Sequence, residues 1–276
     1  MSSTHAGKVA VITGGGRGLG RTMGLALLGA GANVVLVDVD DAVLAEAEAA
    51  ARDLGAADRV LKVNADVSRD ETGAAIVAAA TQRFGKVDIL INNAGVGLQQ
   101  VRPAGAPVLS PYLEVTPTEF RRMYEINTIG FFLMSLAVLP GLRARNWGRV
   151  INVTTSLDTM MRLFPYGGTK AACEANTAML AAELEGSGVT ANVLIPGGAV
   201  ATRLALDMFT GDKRAKLIQP DVMIDPVLWL TSDAANGVNG RRFNGSLWDA
   251  NRSDAENLAT AGAPCAWPGL GRAANY

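Results

Sequence analysis

The sequence predicts an α/β fold in which helices cover both faces of one doubly wound parallel sheet of about seven strands. Three observations predict it. Short β-branched runs alternate with longer alanine-rich stretches along most of the chain, the pattern of strand–helix–strand units. The strand candidates are apolar almost throughout, not at every second residue, as expected when helices bury both faces of a sheet. Glycine is abundant, 31 of 276 residues, with no collagen-like period, which points to many close backbone approaches.

Taken in order, Lys8 to Thr13 reads as the first strand and Leu19 to Ala30 as the first helix. Asn33 to Asp38 is the second strand, followed by a helix from about Asp41 to Leu54. Arg59 to Val63 and Arg69 to Phe84 form the third such pair, and Val87 to Ile91 is the fourth strand. Val96 to Thr116, with its prolines and glycines and no clear period, reads as a long loop; loops of that length in compact domains are usually functional or mobile. A long helix is expected over Pro117 to Leu142, then a strand over Gly148 to Thr154 and a helix over Tyr166 to Glu185. Val189 to Ile195 is the sixth strand, and part of Arg241 to Trp248 is a candidate for the last. No composition shift divides the chain, so residues 1–276 read as one domain. Residues 1–6 are expected to be disordered, and about 249–276 to form an irregular surface tail.

Composition narrows the function. Hydrophobic residues make up 49% and charged residues 18%, a globular balance. Lys and Arg total 25 against 26 Asp and Glu, without the basic excess of most nucleic-acid binders, so no nucleic-acid partner is expected. Cys173 and Cys265 are too few for a disulfide scaffold or a structural zinc site, and no metal is expected. The one histidine, His5, lies near the N-terminus. It is expected to be disordered or solvated, which argues against histidine-based catalysis. Met1 to Gly7 lacks the apolar core of a secretory signal. The apolar run Ile129 to Leu142 is shorter than a ~20-residue membrane span and is broken by Gly130 and Pro140-Gly141. A cytoplasmic protein with no membrane association is expected.

Thr13-Gly14-Gly15-Gly16-Arg17-Gly18-Leu19-Gly20 joins the first strand to the first helix. A helix that opens on such a loop offers free N–H groups and a positive dipole end to a pyrophosphate. Gly14 permits the tight turn, Gly18 a close ligand approach, and Gly20 close packing of helix on strand. Alone this is an ordinary glycine-rich turn; between a strand and a helix it indicates dinucleotide binding on a Rossmann-type fold. Asp38 follows Gly20 by 18 residues and ends the second strand. Its carboxylate can accept hydrogen bonds from ribose hydroxyls and would repel a 2′-phosphate, which favours NAD over NADP. The alternative role is a helix cap, since Asp38, Asp40 and Asp41 all precede a helix, and Arg17 could assist a 2′-phosphate, so NADP stays possible although the clash at Asp38 weighs more.

From Gly7 to about Gly245 the chain resembles the short-chain dehydrogenase/reductase family. The family's T-G-x-x-x-G-x-G is Thr13 to Gly20, and its N-N-A-G is Asn92-Asn93-Ala94-Gly95. Its Y-x-x-x-K is Tyr166-Gly167-Gly168-Thr169-Lys170, its helix asparagine is Asn127, and its Pro-Gly after the sixth strand is Pro196-Gly197. The resemblance implies that Asp66 and Val67 touch the adenine. It also implies that Arg17, Leu19, Asn93, Ala94, Gly95, Pro196, Gly197, Val200 and Thr202 line the cofactor path. Lys170 would hold the nicotinamide ribose, and Asn127 a water in a proton relay. The resemblance further implies a homotetramer or homodimer packed through the two long helices.

The residue types agree with that chemistry. Tyr166 and Lys170 stand at i and i+4 and so share a helix face. A lysine cation near a phenol favours the phenolate and lowers the tyrosine pKa. Such a tyrosine can exchange a proton with an alcohol or ketone while hydride passes to or from a nicotinamide. The family's catalytic serine falls at Thr155 by register and at Ser156 by chemistry, and either hydroxyl can donate to a substrate oxygen. Val96 to Thr116, Leu157 to Phe164 and Leu204 to Leu217 are expected to wall the substrate site. Met160, Met161, Leu163, Phe164, Leu204, Met208 and Phe209 would make it largely apolar. The expected activity is therefore NAD-dependent oxidation of a moderately apolar secondary alcohol, or reduction of the ketone. An NADPH-dependent reductase of 3-oxoacyl type and a non-catalytic cofactor sensor are the alternatives.

Overall fold

A computed structural model describes residues 4–102, 110–206 and 209–269. The chain alternates as the sequence predicts. β1 (Val9–Thr13), α1 (Gly18–Gly29), β2 (Asn33–Asp38), α2 (Asp41–Asp53), β3 (Val60–Asn64), α3 (Thr72–Phe84) and β4 (Ile89–Asn92) form the first half. A short helix α4 (Leu98–Val101) precedes α5 (Pro117–Tyr124), which runs through a π turn (Glu125–Ile129) into α6 (Gly130–Ala144). Then come β5 (Gly148–Val153), α7 (Leu157–Arg162), α8 (Tyr166–Glu183) and β6 (Val189–Ile195). The chain closes with α9 (Arg203–Leu206), α10 (Gly211–Ala215), α11 (Ile224–Leu230), β7 (Arg241–Asn244), α12 (Asp254–Thr260) and β8 (Gly262–Pro264).

Among the described residues eight strands form one sheet in the order β3-β2-β1-β4-β5-β6-β7-β8. Seven run parallel, and β8 pairs antiparallel with β7. Alternate residues feed two cores. Ile12, Leu36, Ile91 and Ile151 pack with Met23 and Leu27 of α1 and Val227 of α11. Val11, Val35, Leu90 and Val150 pack on the other face with Ile76 of α3 and Met134 and Val138 of α6. This double burial explains strands that lack a polar face. The strand order reverses between β1 and β4, so the loops leaving their C-terminal ends diverge and open a crevice there.

Local signals set the helix starts. Asp40 caps α2, accepting from the N–H groups of Ala42 and Val43 at 3.1 and 3.4 Å. Thr116 and Glu119 cap α5 reciprocally, with Pro117 at its first position. The expected single helix over 117–142 is instead two α segments joined by the π turn, with 28 continuous residues, Pro117–Ala144. By length and composition it could cross a membrane, but Phe131, Met134, Val138 and Leu142 are buried, the last three in the core beneath the sheet.

Two expectations about the termini need correction. The residues after 249 do not form only an irregular tail. Ser253 and Glu256 make a capping box that starts α12, and Gly262–Pro264 adds an eighth strand beside Arg241–Phe243. A three-residue edge strand ending in proline has no periodicity to read.

His5 is neither disordered nor solvated. It is 1% exposed, its N–H donates to Ala30 O at 3.0 Å, and its Nε2 meets Thr231 Oγ1 at 2.9 Å. Burial, with help from Lys8, lowers its pKa from the ordinary 6.5. The unfolded chain therefore takes up a proton on acidification that the folded imidazole resists. His5 contributes full stability above pH 6.5 and loses it as pH falls toward the depressed folded value. Urea unfolding at pH 7.5 and 5.5 should show this loss, and His5→Asn should reduce the difference. An equal pH difference in the variant would contradict it.

Candidate active site

The crevice is a cavity of about 1080 Å³ that runs from Val37, Asp38 and Val39 at one end to Tyr166, Leu204 and Phe209 at the other. The loop after β1 shapes its floor. Gly14 has φ +62, where a side chain would be strained, and a Cβ there would stand 2.9 Å from Ala94 Cα. A Cβ on Gly20 would lie 2.1 Å from Gly14 O, so α1 can approach β1 only with glycine at that position. Thr13 Oγ1 accepts from the N–H groups of Asn93 and Ala94, both at 3.0 Å. Asn93 Nδ2 donates to Thr13 O and Gly14 O. The glycine loop and the loop after β4 are thus laced into one surface.

At the far end Asp38 is 8% exposed and lines the cavity. Its carboxylate accepts from Gly16 N at 3.2 Å and Val39 N at 2.9 Å. Asp40, not Asp38, caps α2. Arg17 lies 3.6 Å from Asp40, so its charge is drawn to a carboxylate. Asp66 and Val67 also line the cavity. Burial alone would raise the Asp66 carboxyl, but hydrogen bonds from Ser68 and Arg122 hold it below its ordinary value. Arg122 reaches Asp66 Oδ2 at 2.7 Å and lines the cavity itself. It carries no motif and was invisible in the sequence.

At the near end Tyr166 and Lys170 both face the cavity from the first turns of α8. Lys170 is 3% exposed. Its Nζ donates to Val153 O at 3.0 Å and stands 5.9 Å from the Tyr166 ring centre. The expected lowering of the tyrosine pKa is not met within the chain. Burial pushes the Tyr166 phenol above its ordinary value and the Lys170 ammonium below its own. Desolvation is the largest cause in both cases. Gly95 keeps the approach to Lys170 open, since a Cβ there would stand 3.3 Å from Nζ.

The two candidate hydroxyls separate clearly. Thr155 lines the cavity. Ser156 caps α7, with Oγ accepting from Thr159 N at 3.2 Å and bonded to Thr159 Oγ1 at 2.9 Å, and it is not on the cavity wall. Asn127, in the π turn, is fully buried. Its amide accepts from Val96 N at 2.8 Å and donates to Val96 O at 2.9 Å and Thr169 Oγ1 at 3.1 Å. It clamps the loop after β4 to α8 from behind the wall. Gly20 and Gly197 likewise support the wall from outside it; the other expected cofactor residues, Arg17, Gly18, Leu19, Pro196, Val200 and Thr202 among them, lie on it.

Among the described residues the substrate-side wall is more polar than expected; residues 103–109 of the expected wall lie outside them. Leu163, Leu204 and Phe209 line it, but so do Gln100, Asp158, Thr159, Arg162 and Arg203. Met160 is buried and Met161 is 79% exposed, both off the wall. Phe164 stacks on Tyr112 with ring centres 4.3 Å apart, facing a separate surface cleft. Met208 lies outside the described residues. The short α7 explains the difference: its helical turn sends residues 158, 159 and 162 inward and 161 outward. The signal was present in Ser156-Leu-Asp-Thr159, a capping sequence, but a six-residue helix is too short to show a period.

This sheet, glycine floor and tyrosine–lysine pair define a dinucleotide-dependent dehydrogenase or reductase architecture. The family model for short chain dehydrogenases matches residues 8–212, and the chain belongs to that family. An L-fucose dehydrogenase of Oryctolagus cuniculus is 34% identical over 195 residues, 70% of this chain and 63% of that protein's own length. The 7alpha-hydroxysteroid dehydrogenase of Escherichia coli K12 is 28% identical over 246 residues, covering 85% of this chain and 91% of its own. Among solved structures, levodione reductase superposes with a TM-score of 0.75 at 30% identity, covering 85% of this chain and 94% of its own.

Proposed function

We propose that the chain is an NAD(H)-dependent oxidoreductase that interconverts a secondary alcohol and its ketone. The observation that carries this reading is the continuity of one cavity from the Asp38 carboxylate to the Tyr166–Lys170 pair. The residues fit a nicotinamide dinucleotide. Gly14, Gly18, Asn93, Ala94 and Gly95 leave backbone exposed to its phosphates and sugars, and Asp66 and Val67 flank the adenine position. Asp38 accepts from the ribose hydroxyls, and its charge opposes a 2′-phosphate. Arg17, drawn toward Asp40, does little to offset that opposition.

When bound, the nicotinamide supplies the hydride acceptor or donor. The chain handles the proton. Tyr166 Oη gives it to the ketone oxygen or takes it from the alcohol as hydride moves. Thr155 Oγ1 donates to the same substrate oxygen and orients it. Lys170 stands beside the ribose position and the phenol, its Nζ fixed by the Val153 carbonyl. Asn127 fixes the loop carrying Gly95 and Val96. The apolar floor at Leu163, Leu204 and Phe209 suits a hydrocarbon skeleton, while Gln100, Thr159 and Arg162 offer hydrogen bonds to further oxygens on it. The outer apolar residues Ile129, Phe132 and Leu136 of the long helix are 44–57% exposed, and Met179 of α8 is 63% exposed. They suit the packing of a homodimer or homotetramer.

The test is a panel of cyclic and polyhydroxylated secondary alcohols with NAD, and of their ketones with NADH, each repeated with the phosphorylated cofactors. Turnover is expected with the non-phosphorylated pair, with kcat/KM at least about tenfold higher. Cofactor binding without turnover of any substrate would favour a sensor, and a preference for NADPH would overturn the reading of Asp38.

A further inference from the structure

α8 carries a second buried charge that the proton chemistry does not use. Glu174 stands one turn beyond Lys170 and is 0% exposed. Its Oε1 lies 3.1 Å from Arg242 Nε, and Arg242 comes from β7 with its side chain only 17% exposed. The same guanidinium donates from Nη2 to the carbonyl of Thr155 at 3.0 Å. Glu174 Oε2 accepts from Thr154 Oγ1 at 3.3 Å, and Oε1 also accepts from the N–H of Ala266, just beyond β8, at 3.4 Å.

The location explains why such a network is needed. The β5–β6 ladder ends at Val153, paired with Leu194, and Thr154 N makes the last backbone bond to Leu194 O at 3.2 Å. Past that point Thr155 has left the sheet. Arg242 sits in register with Val193 on the far side of β6 and reaches across the end of that strand to hold the Thr155 carbonyl. Burying a carboxylate and a guanidinium is costly unless each is paired and hydrogen-bonded, and here the pair spans four elements. Arg242 Nε meets the Glu174 carboxylate as an ion pair without making a hydrogen bond, while Nη2 donates to the Thr155 carbonyl, so one guanidinium joins the two groups.

We propose that Glu174 and Arg242 are positioning residues for the catalytic hydroxyl. Glu174 anchors the Arg242 guanidinium to the helix that carries Tyr166 and Lys170, and Arg242 fixes the Thr155 backbone. The distance between the hydroxyl and the phenol is thereby set by one buried ion pair. The strand β8 and Ala266 close over this pair, which gives the C-terminal residues a part in the geometry of the site. The inference rests on the reading of Thr155 as the substrate-orienting hydroxyl.

Arg242→Lys tests it without leaving Glu174 unpaired, since an ammonium keeps the charge but cannot bridge both oxygens. With NAD and an alcohol found by the panel, kcat should fall between about 10- and 100-fold, the size of effect that a displacement of about 1 Å produces. Cofactor affinity and thermal midpoint should stay close to those of the parent chain. Glu174→Gln should act in the same direction. Both changes should have little further effect on kcat in a Thr155→Ala background, because they act through Thr155. Losses that multiply in that background, or full kcat in Arg242→Lys while Thr155→Ala is impaired, would overturn the positioning role. Full kcat in Thr155→Ala would overturn the assignment of the hydroxyl, and the positioning role with it. Failure of Glu174→Gln to fold leaves the Arg242→Lys comparison decisive.

Discussion

Tyr166→Phe is expected to lower kcat by about 10²- to 10⁴-fold, the usual contribution of a positioned general acid or base. The change removes Oη and leaves the ring, so packing at the start of α8 is kept. Gly167, whose Cβ would collide with Met160 O at 2.0 Å, continues to seat α7 against that turn. The cofactor floor lies on other elements, so a fluorescence titration should give nearly the same NAD affinity in parent and variant. Loss of turnover with affinity kept is the expected pair of results. Turnover within a few-fold of the parent would show that the proton moves by another route. Loss of affinity in step with turnover would point to structural damage.

Asp38→Asn is the second large effect. The carboxylate lies at the end of β2, mostly buried, with Gly16 N, Val39 N and Asp40 N as its donors. A phosphate oxygen about 4 Å from it would be repelled by ~4 kcal/mol at an effective dielectric of ~20, less where solvent enters the open cavity. The amide has the same shape and no charge. The ratio of kcat/KM for NAD over NADP should therefore narrow by about 10- to 100-fold, chiefly through better use of NADP. An unchanged ratio would mean that Asp38 does not face the 2′ position. The NAD arm should weaken modestly, since an amide oxygen cannot accept from both Gly16 N and Val39 N while also serving a ribose hydroxyl.

Both effects concern residues that are legible in the sequence. Tyr166 and Lys170 announce themselves by helical spacing, and Asp38 by its place at the end of an apolar strand after a glycine loop. These are local relations, carried by a few consecutive residues on one element. The choice between Thr155 and Ser156 was of another kind. They are neighbours with the same chemistry, and the difference is that α7 begins at Leu157 and takes the Ser156 hydroxyl as its cap. The wall of the substrate site differs from the sequence expectation for the same reason. A six-residue helix set its orientation, so Met161 turned outward while Asp158, Thr159 and Arg162 turned in. His5 looked like part of a loose end because nothing in the sequence pairs it with Thr231, over two hundred residues away.

The sequence by itself determined the class of fold, the order of the strands along the chain, the glycine floor and the tyrosine–lysine pair. Each follows from periodicity or from steric needs within a short segment. Only the tertiary structure decided which hydroxyl meets the cavity, that Arg122 covers Asp66, that an eighth strand closes the sheet, and that Glu174 and Arg242 meet behind Thr155. Those outcomes depend on contacts between segments far apart in the chain. Their partners are chosen by the packing of helices on a twisted sheet, which no local pattern of residues encodes.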